Sequence, residues 1–185
     1  MANLLAELTL PIPIDTAWAY LREPALIRRW FGWEYEGLDH EIDVIFLQEA
    51  AVDDRGRTLE WDGGIQEGDR FALEDIGLQT LLRVTRPVAD GYDEIGEGWI
   101  GFAEQLRFAL AHPDGERHTL RLTRDGTLPP LPEGEEWFRT EHQAGVVVDG
   151  ELVVAAQAPE RASAVITRYG AAPDEDRWRA WWDAG

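Results

Sequence analysis

Apolar residues alternate from Leu59 to Val84 and then, from Ile95 to Leu110, recur at helical spacing; that change of period restricts the chain to a sheet closed by a helix. Leu59 and Trp61 share one face, Phe71 and Leu73 another run's face, and Leu78, Thr80, Leu82 and Val84 a third. Period two in successive short runs, with Gly63-Gly64 and Ile76-Gly77 as turns, predicts antiparallel strands buried on one side. Ile95, Trp99, Phe102, Leu106 and Leu110 then predict a long amphipathic helix, which Pro113-Asp114-Gly115 breaks. Gly96, Gly98 and Gly101 cost its first turns up to ~1 kcal/mol each relative to Ala, which suits a backbone that something approaches closely.

Ahead of the sheet, Leu4 to Leu10 reads as a strand and Pro11-Ile12-Pro13 as a stiff corner. Asp15 is placed to cap a helix over Thr16 to Leu21, and the residue before Pro24 is biased out of the helical region. Pro24 opens a second helix over Ala25 to Trp30, which Gly32 stops. Leu38, Ile42, Ile45, Phe46 and Glu49 predict a third helix over Leu38 to Ala50.

Beyond the long helix, Arg117 to Thr123 predicts a further strand. Residues 125–136, rich in Pro and Gly, read as a linker. Val146 to Val154 predicts a hairpin about Asp149-Gly150, because Asp-Gly supplies the positive φ values of a two-residue turn. Ala164 to Tyr169 then reads as a strand and Pro173 to Ala184 as a helix. The organisation expected is a domain over 1–124, the linker, and a small extension over 137–185. There is also an internal echo: Arg83-Val84-Thr85-Arg86, an acidic turn and Trp99 are followed later by Val165-Ile166-Thr167-Arg168, an acidic turn and Trp178.

Composition narrows the chemistry. The 185 residues carry a formal charge of −19, and all 17 basic residues are Arg, so phosphate backbones and anionic membranes are poor partners. The absence of Cys excludes disulfides, thiolate metal sites and a cysteine nucleophile. No leader-like start and no run of ~20 apolar residues is present, which makes the cytoplasm the default location.

Leu8 to Trp18 and Pro24 to Gly32 resemble the start of the SRPBCC superfamily. More narrowly they are similar to the branch named after the activator of the ninety-kilodalton heat-shock chaperone's ATPase. Gly68-Asp69-Arg70-Phe71, Arg83-Val84-Thr85-Arg86 and Glu97 to Leu106 match that branch's later strands and terminal helix. The resemblance covers residues 4 to 123. It implies an α+β helix-grip fold, a curved antiparallel sheet wrapped around a long helix with a cavity between them. Members include small-ligand carriers, polyketide aromatic cyclases and chaperone cofactors, so fold alone does not choose the activity. The helical Leu38 to Ala50 departs from the two strands the family places there.

The residues expected to line such a cavity are Trp30, Trp33, Trp61, Phe71, Leu82, Trp99, Phe102 and Leu106, and the ligand expected is an apolar or aromatic small molecule. For any single ring, core packing is the stronger expectation. Arg83 and Arg86 suit a ligand carboxylate but are expected to pair with nearby acids. Glu97 and Glu104 share a helix face that reads as solvated. His40, His112, His118 and His142 have no metal-ligand spacing, and no phosphate loop or serine nucleophile motif appears. No catalytic residue, metal or cofactor is therefore assigned. Binding is expected over turnover, with a cyclase-like or hydrolase-like activity and a chaperone-cofactor role as the alternatives. Trp178, Trp181 and Trp182 form an apolar stripe expected to pack on the chain's own hairpin, with dimerisation through that face left open.

Overall fold

The computed structural model describes residues 2–184, which divide between Ala111 and His112 into two compact units. In the first, β1 (Ala2–Leu10) leads through α1 (Ile14–Arg22), α2 (Pro24–Ile27) and α3 (Leu38–Ile42) into a π-helical run, Asp43–Glu49. Strands β2 (Ala50–Asp53), β3 (Thr58–Trp61), β4 (Arg70–Asp75) and β5 (Thr80–Pro87) follow, and α4 (Glu94–Ala111) ends the unit. The antiparallel sheet has the order β1-β5-β4-β3-β2, so the first strand pairs with the last. Cross-strand partners Leu59 and Phe71, Phe71 and Val84, and Leu73 and Leu82 place one apolar face inward. Helix α4 packs on β1 and β5. This is the α+β helix-grip layout, with an open rather than closed sheet.

Two local expectations change. Helix α1 starts one residue early, at Ile14; extended Pro13 occupies the cap and its carbonyl accepts from the Ala17 amide at 3.0 Å. Asp15 therefore lies inside the first turn, where its charge still complements the helix dipole, and its carboxylate pairs with Arg57. The expected helix over Leu38 to Ala50 is α-helical only to Ile42 and then widens to π geometry, with Ile45 and Phe46 facing the core.

The second unit holds β6 (Arg117–Asp125), β7 (Glu135–Arg139), β8 (Gln143–Val148), β9 (Glu151–Gln157), β10 (Arg161–Tyr169) and α5 (Glu175–Asp183). Its sheet order, β6-β10-β9-β8-β7, repeats that of the first unit: leading strand against final strand, then a meander, then a helix. Asp149 and Gly150 have φ of 51° and 79°, as the two-residue β8–β9 turn requires. The division of the chain differs from the one expected, with β6 inside the first domain and 125–136 a linker. Strand β6 pairs along its whole length with β10, which satisfies the backbone groups of both in the second sheet. Leu128 and Leu131 of the intervening segment pack on that sheet's core, formed by Leu122, Val146, Val153, Ile166, Trp178 and Trp182 among others.

Candidate functional site

The first unit gathers aromatic rings from five elements onto one point between α4 and the sheet. Trp99 of α4 lies against Phe71 (4.9 Å between centroids), Trp61 (5.5 Å), Phe31 (6.0 Å) and Phe46 (6.1 Å). Phe102, one turn on, meets Phe31 at 4.9 Å, and Trp30 meets Phe46 at 5.7 Å. Most pairs are edge-to-face, the arrangement that sets a positive ring edge on a negative ring face. Leu82 and Leu106 are fully buried, Phe102 is half-buried, and Trp33 is half-buried against Tyr35. The Tyr35 hydroxyl donates to Glu41 at 2.6 Å; burial and that carboxylate raise its pKa to about 12.

Five of the residues expected from sequence, Trp30, Trp61, Phe71, Trp99 and Phe102, are thus brought into one connected cluster. Phe31 and Phe46 belong to it as well. Phe31 sits beside Trp30 in the sequence and could have been read with it. Phe46 was legible as an apolar helix position but not as a member of this group. The indoles carry their own polar anchors: Trp30 donates to the Tyr20 carbonyl and Trp61 to the Ile45 carbonyl, each at 2.8 Å.

Trp99 is anchored differently. Its indole N–H donates at 2.6 Å to Oδ2 of Asp69, a carboxylate without solvent exposure at the start of β4. Arg86 Nη1 donates to both Asp69 oxygens at 2.7 Å, and Arg86 Nε reaches Asp93 at 2.9 Å. Asp93 in turn accepts from the Gly96 amide at 3.0 Å, in the first turn of α4. A chain of charge-assisted bonds therefore ties the start of α4 to β5, β4 and back to the middle of α4. Burial raises the Asp69 carboxyl above its ordinary pKa, helped by the charge of Asp93, while the bonds from Trp99 and Arg86 pull the other way. Asp69 carried no sequence signal beyond its place in Gly68-Asp69-Arg70-Phe71.

The second unit contains the same device. Trp178 of α5 donates at 2.6 Å to buried Glu151, at the start of β9, and Arg168 of β10 reaches the other Glu151 oxygen at 3.1 Å. Asp69 and Arg86 are 17 residues apart, as are Glu151 and Arg168. A glycine of positive φ precedes each acid, Gly68 at 82° and Gly150 at 79°. The internal echo of the sequence is thus a repeat of topology and of a carboxylate–guanidinium–indole contact.

The other candidates have structural partners. Arg83 pairs with Glu7 and Glu74, which raise its pKa. Glu104, read from sequence as solvated, is buried and paired with Arg107. His112 stacks on Tyr169 at 5.7 Å. Among the described residues no group of three acidic or histidine side chains could hold a metal ion. No helix among them is long and apolar enough to cross a membrane.

No family model matches the chain, and no curated protein matches it. Among solved structures it is similar to the crystal structure of DynU16, a protein in the dynemicin biosynthetic locus, with 12% identity and a TM-score of 0.43. The match covers 97% of this chain and 91% of that one.

Proposed function

We propose that the first unit binds an apolar, aromatic small molecule between α4 and its sheet, with Trp30, Trp33, Trp61, Phe71, Leu82, Trp99, Phe102 and Leu106 as the contact surface. The observation that carries this reading is the concentration of rings from helix, π-helix and strands about Trp99, with one buried carboxylate as the polar group beside them. Apolar walls with a few placed polar groups are the usual make-up of a small-molecule site. The resemblance of residues 4 to 123 to SRPBCC proteins, and within them to the ATPase-activator branch, supports a ligand-carrying role on this fold.

The rings touch one another, so a guest enters by displacing them, and the half-buried Phe102 and Trp33 offer the least costly opening. Asp69 and the indole N–H of Trp99 would then exchange their bond for contacts with the guest's polar edge. The test is native mass spectrometry of freshly purified protein, paired with tryptophan fluorescence during titration with a neutral polycyclic aromatic probe. A retained mass, or saturable quenching that Phe102→Ala weakens, supports the site. A protein that carries no mass and shows no saturable quenching is one whose rings serve packing alone.

A further inference from the structure

The two units share strand order and a buried acid–indole anchor, yet they cover the end of the sheet differently. In the first, α1 lies against β4 and sets Trp18 beside the turn that joins β2 to β3. The Trp18 indole donates to Asp54 of that turn at 3.0 Å, and the Arg57 guanidinium lies 5.5 Å from its ring centroid. In the second unit no helix intervenes between the leading strand and β7; the segment 126–134 takes that place. Beside the corresponding turn, residues 140–142 between β7 and β8, is an open groove of about 180 Å³. Leu128, Leu131, Ala144 and Ala155 supply its apolar walls, and Arg139 and Glu141 line it as well.

We propose that this groove is a binding site for a small planar aromatic molecule with a hydrogen-bond donor on its edge, seated where the first unit seats the indole of Trp18. The groove is smaller than the roughly 300–1,000 Å³ that encloses a drug-sized ligand. An apolar cavity of about 150 Å³ does admit benzene, so one or two fused rings match its size. A carboxylate and a guanidinium near the turn repeat the pair of groups that meets Trp18: Glu141 stands for the acceptor Asp54, and Arg139 for the cation Arg57. A guanidinium on a ring face and a charged acceptor on a ring N–H are both favourable contacts. The site lies wholly within the second unit and is separate from the ring cluster of the first.

The experiment is a titration of the whole protein with indole, followed by amide chemical shifts. Saturable shifts at residues 128–131 and 139–144 are expected. Glu141→Gln and, separately, 1-methylindole as the probe should each weaken binding about two- to tenfold, the worth of one hydrogen bond. Glu141 is on the surface, so its substitution leaves the fold intact. Unperturbed amides in these segments up to the solubility limit of indole overturn the proposal, as do shifts confined to the rings about Trp99. The second outcome supports the site of the first unit, so the two readings fail independently.

Discussion

Asp69 is held by two opposing forces: removal from water penalises its charge, while Arg86 and the Trp99 indole stabilise it. Burial wins, so the folded carboxyl titrates above its model value of 3.8. The folded state then binds the proton more tightly than the unfolded chain, and stability declines as pH rises from that value through the folded pKa. Asp69→Asn removes the titration. Urea unfolding across the acid to neutral range should therefore show the stability of wild type relative to Asp69→Asn falling with rising pH until the carboxyl is ionised, then levelling; a flat difference contradicts the assignment. Asp69→Ala is harsher. It leaves Arg86 and the indole without their shared acceptor in a buried place, and should cost about 3–5 kcal/mol at neutral pH. Trp99→Ala should cost a similar ~3–5 kcal/mol for a different reason, the loss of a ring that five others touch.

At the scale of the element, the glycines at the start of α4 have different roles. A Cβ at Gly96 would come within 2.5 Å of the Asp93 carboxylate, which Arg86 holds in place, and would also meet Leu5 of β1 at 3.4 Å. A Cβ at Gly98 meets nothing nearer than Phe102 at 3.7 Å. Gly98→Ala should then stabilise by up to ~1 kcal/mol through helix propensity, whereas Gly96→Ala should forfeit that gain and destabilise. Denaturant midpoints of the two variants decide it; equal gains would mean that Asp93 is free to move. The sequence announced this close approach without saying which glycine served it. The same is true of the strands. Those with a buried face, β3, β4 and β5, are legible because Leu59, Phe71, Leu73, Leu82 and Val84 alternate. Strand β2 is not, because Ala50–Asp53 is an edge with little buried and so has no alternation to read. The π-helical run reads as plain α-helix because Ile45 and Phe46 satisfy either spacing locally. Asp69 and Glu151 escape notice because one buried acid among 36 Asp and Glu leaves no periodic trace.

For the whole molecule, the decisive property is repetition with divergence. Both units pair their first strand with their last and tie the final helix to the meander through a buried acid and an indole, but they fill their cores differently. The first relies on phenylalanine and tryptophan rings, the second on Val, Ala, Leu and Ile under Trp178 and Trp182. In the second unit Trp181 donates to the Pro130 carbonyl at 2.8 Å, so the helix also fastens the segment that stands where the first unit has helices. The tryptophan stripe of α5 is thereby accounted for by packing on its own unit, since Trp178 and Trp182 belong to the core there. Each anchor has its partners within its own unit, and interactions that share no partner act nearly additively. Glu151→Ala should strip the Trp178 indole and Arg168 of their acceptor and cost about 3–5 kcal/mol, as its counterpart does in the first unit. Amide hydrogen exchange reads where that loss falls. Protection should drop in β6, β8, β9, β10 and α5, while the amides of β3, β4 and β5 keep theirs; a uniform loss across both sheets would mean that the chain opens as one cooperative body.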